Sequence, residues 1–301
     1  MSVALKAFSY RSHEGERAGL WVDGALFDLT WILAEWPEAS EHDLPDRATL
    51  LDLIERGVFN LPFLQEAWNF ASKTSLAHKA KLPEDVDFLP PVTRPQKTIC
   101  LGRNYAAHAR EGGHKVPSEP IFFAKAPSAL IGHGHAVLLP PQSKRVDHEA
   151  ELAVVIGAKA KAVGEEDAWN YVAGYTAMND VTARDLQKQD IEKGRPWFRS
   201  KSFDTFCPLG SWLVPREAIP DPHNLRLEMR VNGEVRQSAS TGEMLFRIPR
   251  LIAEISSHMT LYPGDIISTG TPQGISPIHD GDVMEVEIEG IGTLRNPVRV
   301  G

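Results

Sequence analysis

Two glutamates spaced two residues apart stand where an apolar strand begins. Glu149 and Glu151 run into the segment 152–156, whose β-branched composition predicts a strand. Residues i and i+2 of a strand point to the same face, so the two carboxylates lie side by side. Like charges held there repel each other and lose hydration. A hard divalent cation removes both costs, because Mg²⁺ and Mn²⁺ bind carboxylate oxygens and keep positions open for water or substrate. The pair therefore predicts a metal site.

A third carboxylate, Asp180, follows a second apolar segment, 171–178. Together with the glutamate pair it gives three oxygen donors, which is enough for Mg²⁺ or Mn²⁺ with water in the remaining octahedral positions. The alternative is that Asp180 caps the helix predicted over 182–193, since Asp is a favoured N-cap residue. The local sequence leaves both interpretations open.

A short helix predicted over 104–111 carries a His and a Glu at spacing i, i+3. Asn104 is suited to the N-cap, and two glycines end the helix. His108 and Glu111 share one face, so the carboxylate can orient the imidazole and raise its basicity, as a general base requires. The flanking glycines would let the helix move as a lid. The alternative is a solvated ion pair on a surface helix.

Two further segments offer groups that could bind an anionic substrate. Lys201 stands among aromatic residues and could supply a cation for a substrate carboxylate or a developing enolate, or it could be an ordinary solvated lysine. Residues 268–274 are rich in glycine and hydroxyl groups, which suits a backbone nest for a carboxylate as well as a simple turn. His133 and His135 are interpreted as loop residues outside the site, and His148 alternates with Glu149 and should face the other way.

Composition places the chain of 301 residues among soluble globular proteins. Hydrophobic residues make up 42% and charged residues 24%, and the formal charge is −8, which argues against nucleic-acid binding. No segment approaches the eighteen consecutive apolar residues of a membrane span. Cys100 and Cys207 have apolar neighbours and are interpreted as core thiols of a reducing compartment, so we expect a cytoplasmic protein.

Residue patterns divide the chain into two domains of a mixed α/β, β-rich protein. A small N-terminal α+β domain is predicted over 1–75, with a hairpin at Asp23-Gly24, followed by a Pro-containing linker over 76–96 and a catalytic domain over 97–301. A second hairpin is predicted at Asn232-Gly233. Further strands are predicted over 98–101, 121–124, 136–139, 151–156, 172–178, 225–231, 265–269 and 283–288, and further helices over 47–57, 61–72, 165–169 and 248–258.

In chain order, five elements of the sequence resemble the fumarylacetoacetate hydrolase superfamily, in particular its bacterial acylpyruvase and 5-carboxymethyl-2-hydroxymuconate isomerase-like branch. They are residues 102–108 (GRNYAAH), 147–157 (DHEAELAVVIG), 174–187 (GYTAMNDVTARDLQ), 201–210 (KSFDTFCPLG) and 269–274 (TGTPQG). The resemblance covers roughly residues 97–301, and the region before it matches only loosely. The run 188–199 departs from the family pattern; it is long and polar, and Arg195 is a candidate for substrate selection there.

The resemblance implies a mixed β-sandwich roll with a metal inside, assembled as a homodimer. It implies that Mg²⁺ or Mn²⁺, with Ca²⁺ as a substitute, is bound by three carboxylates: Glu149, Glu151 and Asp180. It also implies that His108 and Glu111 form a lid dyad that activates water or moves protons, and that Lys201 faces the keto-enolate end of the substrate. Substrate contacts are implied for four more residues, with Arg184 mainly supporting the site: Gln187, Thr271, Gly270 and Arg184.

The function expected from these residues is metal-dependent hydrolysis of a C–C bond in an acylpyruvate, a β-diketo acid, through a metal-stabilised enolate. The same apparatus would serve an isomerase of 5-carboxymethyl-2-hydroxymuconate or 2-hydroxyhepta-2,4-diene-1,7-dioate, as in aromatic catabolism, or an oxaloacetate-type decarboxylase. An alternative from another class is a non-catalytic binding or regulatory protein with a structural metal. The intact set of carboxylates, lysine and dyad argues against that last interpretation.

Overall fold

The N-terminal part of the chain forms a four-stranded antiparallel sheet covered by helices. The fold was analysed in a computed structural model that describes residues 4–301. The sheet has the order β3-β2-β1-β4. Its elements, with the helices that follow the third strand, are β1 (Leu5–Ser12), β2 (Gly15–Val22), β3 (Ala25–Asp28), α1 (Leu29–Glu35), a 3₁₀ helix (Pro37–His42), α2 (Leu50–Glu55), α3 (Leu61–Lys73), α4 (Leu76–Lys79) and β4 (Asp87–Leu89).

The rest of the chain is dominated by strands, with few and short helices. Its elements are β5 (Thr98–Gly102), α5 (Ala106–Glu111), β6 (Ile121–Ala124), β7 (Leu130–Ile131), β8 (Val137–Leu139), β9 (Val146–Asp147), β10 (Ala150–Ile156), β11 (Val172–Asn179), β12 (Thr182–Ala183), α6 (Arg184–Glu192), α7 (Phe198–Lys201), β13 (Cys207–Pro208), β14 (Val214–Pro215), β15 (Arg226–Val231), β16 (Glu234–Ser240), α8 (Ile248–His258), β17 (Ile266–Ser268), β18 (Val283–Ile288) and β19 (Gly292–Val300), with 3₁₀ helices at Pro127–Ala129, Glu165–Tyr171, Arg216–Ala218 and Thr241–Glu243.

Two larger sheets pack against each other and share one apolar core. The six-stranded sheet has the order β14-β11-β10-β17-β5-β6, and the five-stranded sheet has the order β16-β15-β18-β19-β8. Leu152 and Val154 of β10 belong to the same buried cluster as Met229 of β15 and Val286 of β18. Because β10 lies inside its sheet and under the second sheet, all of its residues are buried. Glu151 thus lies in a fully buried strand of the six-stranded sheet, and Glu149 lies directly before it.

The N-terminal sheet packs on the outer face of this six-stranded sheet. Val155 and Leu213 are part of the N-terminal apolar cluster, and Ala7 of β1 forms a bridge with Leu213. Trp212 contacts Phe8 edge to face, with ring centroids 5.6 Å apart. The predicted linker contributes α4 and β4, and β4 pairs with β1. The domain boundaries at 75 and 97 stay a prediction.

The mixed α/β, strand-rich class predicted from the sequence is confirmed, and so are both hairpins, β2–β3 at Asp23-Gly24 and β15–β16 at Asn232-Gly233. Asn232 and Gly233 both have positive φ, 54° and 80°, as a two-residue turn between twisted strands requires. The helix predicted over 182–193 begins instead at Arg184, because residues 182–183 pair with β9. The segment 165–169 lies in a 3₁₀ helix rather than an α-helix.

The predicted N-cap of the helix over 104–111 is wrong. Asn104 lies two residues before α5, and its buried side chain donates from Nδ2 to the carbonyls of Phe246 and Thr269, at 3.0 and 2.8 Å. Asn104 therefore ties the start of the helix to the loop after β17. The prediction failed because the amide has stronger partners from distant segments than from its own helix.

The prediction of core thiols holds, since Cys100 and Cys207 are free and buried. Within residues 4–301, the structure contains no helix with the length and apolar character needed to cross a membrane.

Candidate metal centre and active site

The three predicted carboxylates meet because β10 and β11 are antiparallel neighbours. Ala150 pairs with Asn179, so Glu149 and Asp180 lie beside each other at the end of the two strands. The backbone N–H of Asp180 donates to the carbonyl of Glu149 at 2.8 Å. Alternation along the strand brings Glu151 to the same face, and one oxygen from each residue lies within 4.8 Å of the other two. All three side chains are buried.

Glu151 is held by neutral donors and keeps one oxygen free. Its Oε2 accepts from Ser268 Oγ at 2.5 Å and from the backbone N–H of Gly270 at 2.9 Å. Its Oε1 is buried and has no hydrogen-bond partner in the described part of the chain, residues 4–301. Burial, followed by the charges of Asp180 and Glu149, raises the pKa of Glu151 well above its ordinary value. A buried carboxylate oxygen with no donor, next to two further carboxylates, fits a divalent cation.

Glu149 and Asp180 are instead paired with basic side chains. Lys201 donates from Nζ to both, at 2.8 Å to Glu149 Oε2 and 2.5 Å to Asp180 Oδ2. Lys125 donates to the other oxygen of Asp180 at 2.5 Å, and Arg184 pairs with Glu149. Burial alone would raise the pKa of Glu149, but Lys201 and Arg184 outweigh it and lower that pKa. Burial would lower the pKa of Lys201, but Asp180 and Glu149 outweigh it and raise it.

Arg184 links the carboxylates to the first turn of α6. Its Nε donates to Asp147 Oδ2 at 2.9 Å, and its Nη1 donates to Gln187 Oε1 at 2.5 Å. Arg145 also pairs with Asp147. Because Gln187 Oε1 accepts from Arg184, the amide NH₂ of Gln187 is the group left for a ligand. This arrangement agrees with a supporting position for Arg184.

The helix α5 places His108 and Glu111 on one face, as their spacing predicts. His108 Nδ1 lies 3.6 Å from Glu111 Oε2, which is longer than a hydrogen bond, and Nδ1 is without a partner among residues 4–301. Glu111 accepts instead from the backbone N–H of Gly274, at 3.0 and 3.1 Å. Burial is the main reason that the pKa of His108 is lowered, so the imidazole is neutral near pH 7. A neutral imidazole can accept a proton.

One cavity of about 740 Å³ brings the predicted site residues together. Seven of them line it: His108, Glu111, Glu149, Arg184, Gln187, Lys201 and Thr271. Glu151 and Asp180 lie behind Glu149 in the carboxylate cluster. Gly270 was expected to contact the substrate, but the structure places its N–H on Glu151. Arg195, proposed for substrate selection, is exposed and is outside the cavity lining.

Several functional residues were missed by reasoning from the sequence. Lys125 is buried although lysine is usually solvated, and its signal in the sequence is that it directly follows the apolar strand β6. Ser268 and the backbone N–H of Gly270 belong to the segment predicted as a carboxylate nest, but the carboxylate that they hold is that of Glu151, more than a hundred residues away, and not one of a substrate. Arg103 lies in the cavity with its guanidinium 5.4 Å from the centre of the Trp197 ring.

The histidines that the sequence placed outside the site are outside it. His148 faces away from the carboxylate cluster, and its ring nitrogens bond Gln237 and Ser276. His133 bonds Ser211. Both histidines thus use ring nitrogens in hydrogen bonds within the fold and are not arranged as metal ligands.

A strand-rich fold of two packed sheets with a buried cluster of three carboxylates at the base of a cavity defines a class of protein with an acidic site suited to a metal ion. Residues 97–299 match the family described as fumarylacetoacetate (FAA) hydrolase C-terminal. The chain therefore belongs to the fumarylacetoacetate hydrolase superfamily. Members of this superfamily are enzymes, as the relatives below illustrate.

Three similar proteins show how far the likeness extends. A mitochondrial oxaloacetate tautomerase, Fahd2a of Rattus norvegicus, is 44% identical over 294 residues, which cover 95% of this chain and 87% of that protein. The structure of a fumarylacetoacetate hydrolase from Exiguobacterium antarcticum has a TM-score of 0.80 at 35% identity and covers 99% of this chain and 100% of that one. Fumarylpyruvate hydrolase from Pseudomonas aeruginosa, solved with Mn²⁺ and pyruvate, has a TM-score of 0.67 at 32% identity, with coverage of 71% and 92%.

Proposed function

We propose that this protein is a divalent-cation-dependent enzyme that removes a proton next to the carbonyl of a 2-oxo acid, and that its reaction is the tautomerisation of oxaloacetate or a close analogue. One observation carries the proposal. A buried carboxylate cluster with an unpartnered oxygen, as judged over residues 4–301, lies beside a cavity that also holds a neutral histidine and a buried lysine. These are the groups that proton transfer at an acidic C–H bond requires.

Glu149, Glu151 and Asp180 would hold Mg²⁺ or Mn²⁺, which when bound would supply Lewis acidity toward the oxygens of the substrate. The free oxygen of Glu151 and the common face of the three residues support this assignment. A divalent cation at this site is also supported by the Mn²⁺ in the fumarylpyruvate hydrolase of Pseudomonas aeruginosa.

The chain's own groups would carry the proton transfer. His108, neutral because burial lowers its pKa, accepts a proton from the carbon next to the carbonyl. Negative charge then develops on the carbonyl oxygen, where the ammonium group of Lys201 stabilises it. Return of the proton to that oxygen gives the enol, and return to carbon restores the keto form. One C–H bond is exchanged for one O–H bond, and no water is consumed.

Substrate binding would use the polar rim of the cavity. Thr271 and Gln187 line the cavity, and their hydroxyl and amide groups would hold the carboxylate beside the carbonyl. Arg103 and Lys188 also line the cavity, and in the described chain, 4–301, neither forms an ion pair. Unpaired cations at the rim favour substrates with a second carboxylate, such as oxaloacetate.

Hydrolysis of an acylpyruvate is the second candidate, and a specific observation supports it. His108 and Glu111 share a face of α5, so rotation of the Glu111 side chain away from the Gly274 N–H would bring the 3.6 Å contact within hydrogen-bond range and create a base for water. Tautomerisation is preferred for two reasons. It needs no activated water, and the oxaloacetate tautomerase matches almost the whole chain at higher identity than the fumarylpyruvate hydrolase does.

The test follows three acids with Mg²⁺ or Mn²⁺: oxaloacetate, acetylpyruvate and fumarylpyruvate. A tautomerase accelerates the conversion between the keto and enol forms of oxaloacetate, which is followed by ultraviolet absorbance, and leaves the total amount of oxaloacetate unchanged. A hydrolase releases pyruvate from acetylpyruvate or fumarylpyruvate. We expect a metal-dependent tautomerase rate that chelation abolishes and that metal restores.

Two lysine variants make this test specific. Lys201→Met should lose the rate, whereas Lys97→Met should keep it, because Lys97 pairs with Asp265 at 2.7 Å outside the site. Release of pyruvate from an acylpyruvate, without acceleration of oxaloacetate tautomerisation, would establish the second candidate instead. Loss of the fold on chelation, with no turnover of any of the three acids, would establish the non-catalytic interpretation.

A further inference from the structure

Gln237 is a buried amide that joins the acidic strand to the loop that carries Thr271. It lies on β16 of the five-stranded sheet and is 1% exposed. Its Oε1 lies 3.0 Å from the backbone nitrogen of Ala150, between the two glutamates of the pair, and 3.1 Å from His148 Nδ1. Its Nε2 lies 2.8 Å from both Thr271 Oγ1 and the carbonyl of Pro272. All four hydrogen-bonding positions of the amide are therefore used.

Obligate partners fix the direction of every hydrogen bond at this amide. The backbone N–H of Ala150 can only donate, so the atom facing it is the amide oxygen. The carbonyl of Pro272 can only accept, so the atom facing it is the amide nitrogen. It follows that His148 donates from Nδ1 to Gln237, whatever the state of its other ring nitrogen. It also follows that Gln237 donates to the hydroxyl of Thr271.

The last group in this series of hydrogen bonds, the Thr271 hydroxyl, faces the cavity. A hydroxyl that accepts from Gln237 has its own proton left to donate, and in residues 4–301 it donates no hydrogen bond. Thr271 lines the cavity beside Lys201 and Gln187. The loop lies close against β16, because a Cβ added to Gly274 would lie 2.2 Å from the carbonyl oxygen of Arg236. The hydroxyl is thus held in place and oriented as a donor.

We propose that Gln237 is a positioning residue that presets the Thr271 hydroxyl as a hydrogen-bond donor to the substrate carboxylate. His148, anchored by Ser276 Oγ at 2.8 Å, holds the amide in the required orientation from the other side. This inference rests on the proposed function, because it takes the cavity to bind the carboxylate of a 2-oxo acid. It adds Gln237, a residue of the five-stranded sheet, to the residues that determine which substrates the site binds.

The experiment measures the Kd of pyruvate in the presence of Mg²⁺, and kcat and KM for oxaloacetate. Thr271→Val should weaken pyruvate binding roughly 10- to 100-fold, the range for a hydrogen bond to a charged group. Gln237→Met should raise the Kd of pyruvate and the KM for oxaloacetate roughly 2- to 10-fold, with kcat nearly unchanged. In the double variant the Gln237 change should add nothing to Thr271→Val, since it acts through that hydroxyl.

Asn296→Leu is the matched control. Asn296 is a buried amide of the same sheet that donates to two backbone carbonyls, of Gly132 and His135, at 2.8 Å each. The Asn296→Leu variant should have a lower melting temperature and an unchanged Kd for pyruvate. Additive effects of Gln237→Met and Thr271→Val, or a loss confined to kcat, would overturn the proposal, because Gln237 would then act on the strand of the glutamate pair.

A second variant covers the case in which Gln237→Met does not fold. A carboxyl carries at most one proton, and the carbonyl of Pro272 needs it, so in Gln237→Glu no donor is left for the Thr271 hydroxyl, which turns its own proton away from the cavity. Pyruvate binding should fall at least as far as in Thr271→Val, and unchanged binding would overturn the proposal. If the wild-type protein with Mg²⁺ binds no pyruvate, the proposed function fails first and this inference fails with it.

Discussion

Replacing Glu151 by Gln should stabilise the metal-free protein while it abolishes the response to metal. Gln keeps an oxygen for the donors that hold Glu151, Ser268 Oγ at 2.5 Å and the Gly270 N–H at 2.9 Å. It removes a buried negative charge that lies within 4.8 Å of two other carboxylates, and its NH₂ can donate to them. A metal site, in contrast, loses one of its three charged ligands. The substitution should therefore raise the stability of the metal-free protein and weaken metal binding.

The magnitudes follow from linkage. The folded-state pKa of Glu151 is raised above the ordinary value of 4.5, first by burial and then by Asp180 and Glu149. The stability that the Glu151 carboxyl contributes is therefore fully present below its pKa in the unfolded state, and it is lost as the pH rises through its pKa in the folded state. Each pKa unit corresponds to about 1.4 kcal/mol. We expect Glu151→Gln to stabilise the metal-free protein by at least ~1 kcal/mol at pH 7, or about 2 °C in melting temperature, and to have no such effect near pH 4.

The assay is thermal unfolding after chelation and again with added Mg²⁺ or Mn²⁺. Metal at a hundred times its Kd stabilises the native state by about 2.7 kcal/mol, or roughly 5 °C or more, in the wild-type protein and should do little in Glu151→Gln. Glu16→Gln is the control. Glu16 is a partly buried carboxyl of the N-terminal sheet that, like Glu151, accepts from a hydroxyl, that of Thr93 at 2.7 Å, and has its pKa raised mainly by burial. A less stable metal-free Glu151→Gln with an intact metal response would refute the reasoning.

Three other predictions follow from the same contacts. Lys125→Met leaves one oxygen of Asp180 buried without its cation, and should destabilise the protein by about 3–5 kcal/mol in urea unfolding. His108→Ala should lower kcat roughly 10²- to 10⁴-fold with little change in pyruvate Kd, and the wild-type pH profile of kcat/KM should fall only below the ordinary pKa of 6.5, because burial lowers the pKa of His108 and the base must be neutral. Burial raises the pKa of Cys100 and raises that of Cys207 to about 12, so a thiol reagent at pH 8 should label neither in the native protein and both after unfolding.

The glutamate pair could be predicted because its information is local, whereas the local sequence left Asp180 open between a metal ligand and a helix cap. The two-residue spacing of Glu149 and Glu151 fixes their common face once the segment is a strand, and Asp180 ends the next long apolar segment of the chain. The antiparallel pairing of consecutive strands then brings the three together. Both hairpins were predictable for the same reason, since an Asn-Gly or Asp-Gly pair determines its turn without help from the rest of the fold.

The groups that complete the site depend on contacts between distant segments. Gln237 reaches Thr271 only because the second sheet packs on the first, and no residue pattern around it predicts that register. Lys125 contradicts the usual exposure of lysine, and its partners, the carboxylate of Asp180 and the carbonyl of Val181, come from a distant segment. Asn104 was assigned to its own helix because helix capping is a local rule, whereas its partners, Thr269 among them, come from other elements. Tertiary packing decided all three.

The most direct test of the central claim is the exchange of the methyl protons of pyruvate for deuterium in D₂O, followed by proton NMR with Mg²⁺. Exchange reports proton removal next to a carbonyl, whichever reaction the enzyme completes afterwards. We predict exchange above the buffer rate in the wild-type protein, and none after chelation, in Glu151→Gln or in His108→Ala. Exchange that survives chelation, or a Mg²⁺-loaded wild-type protein that leaves the methyl signal unchanged, would contradict the account.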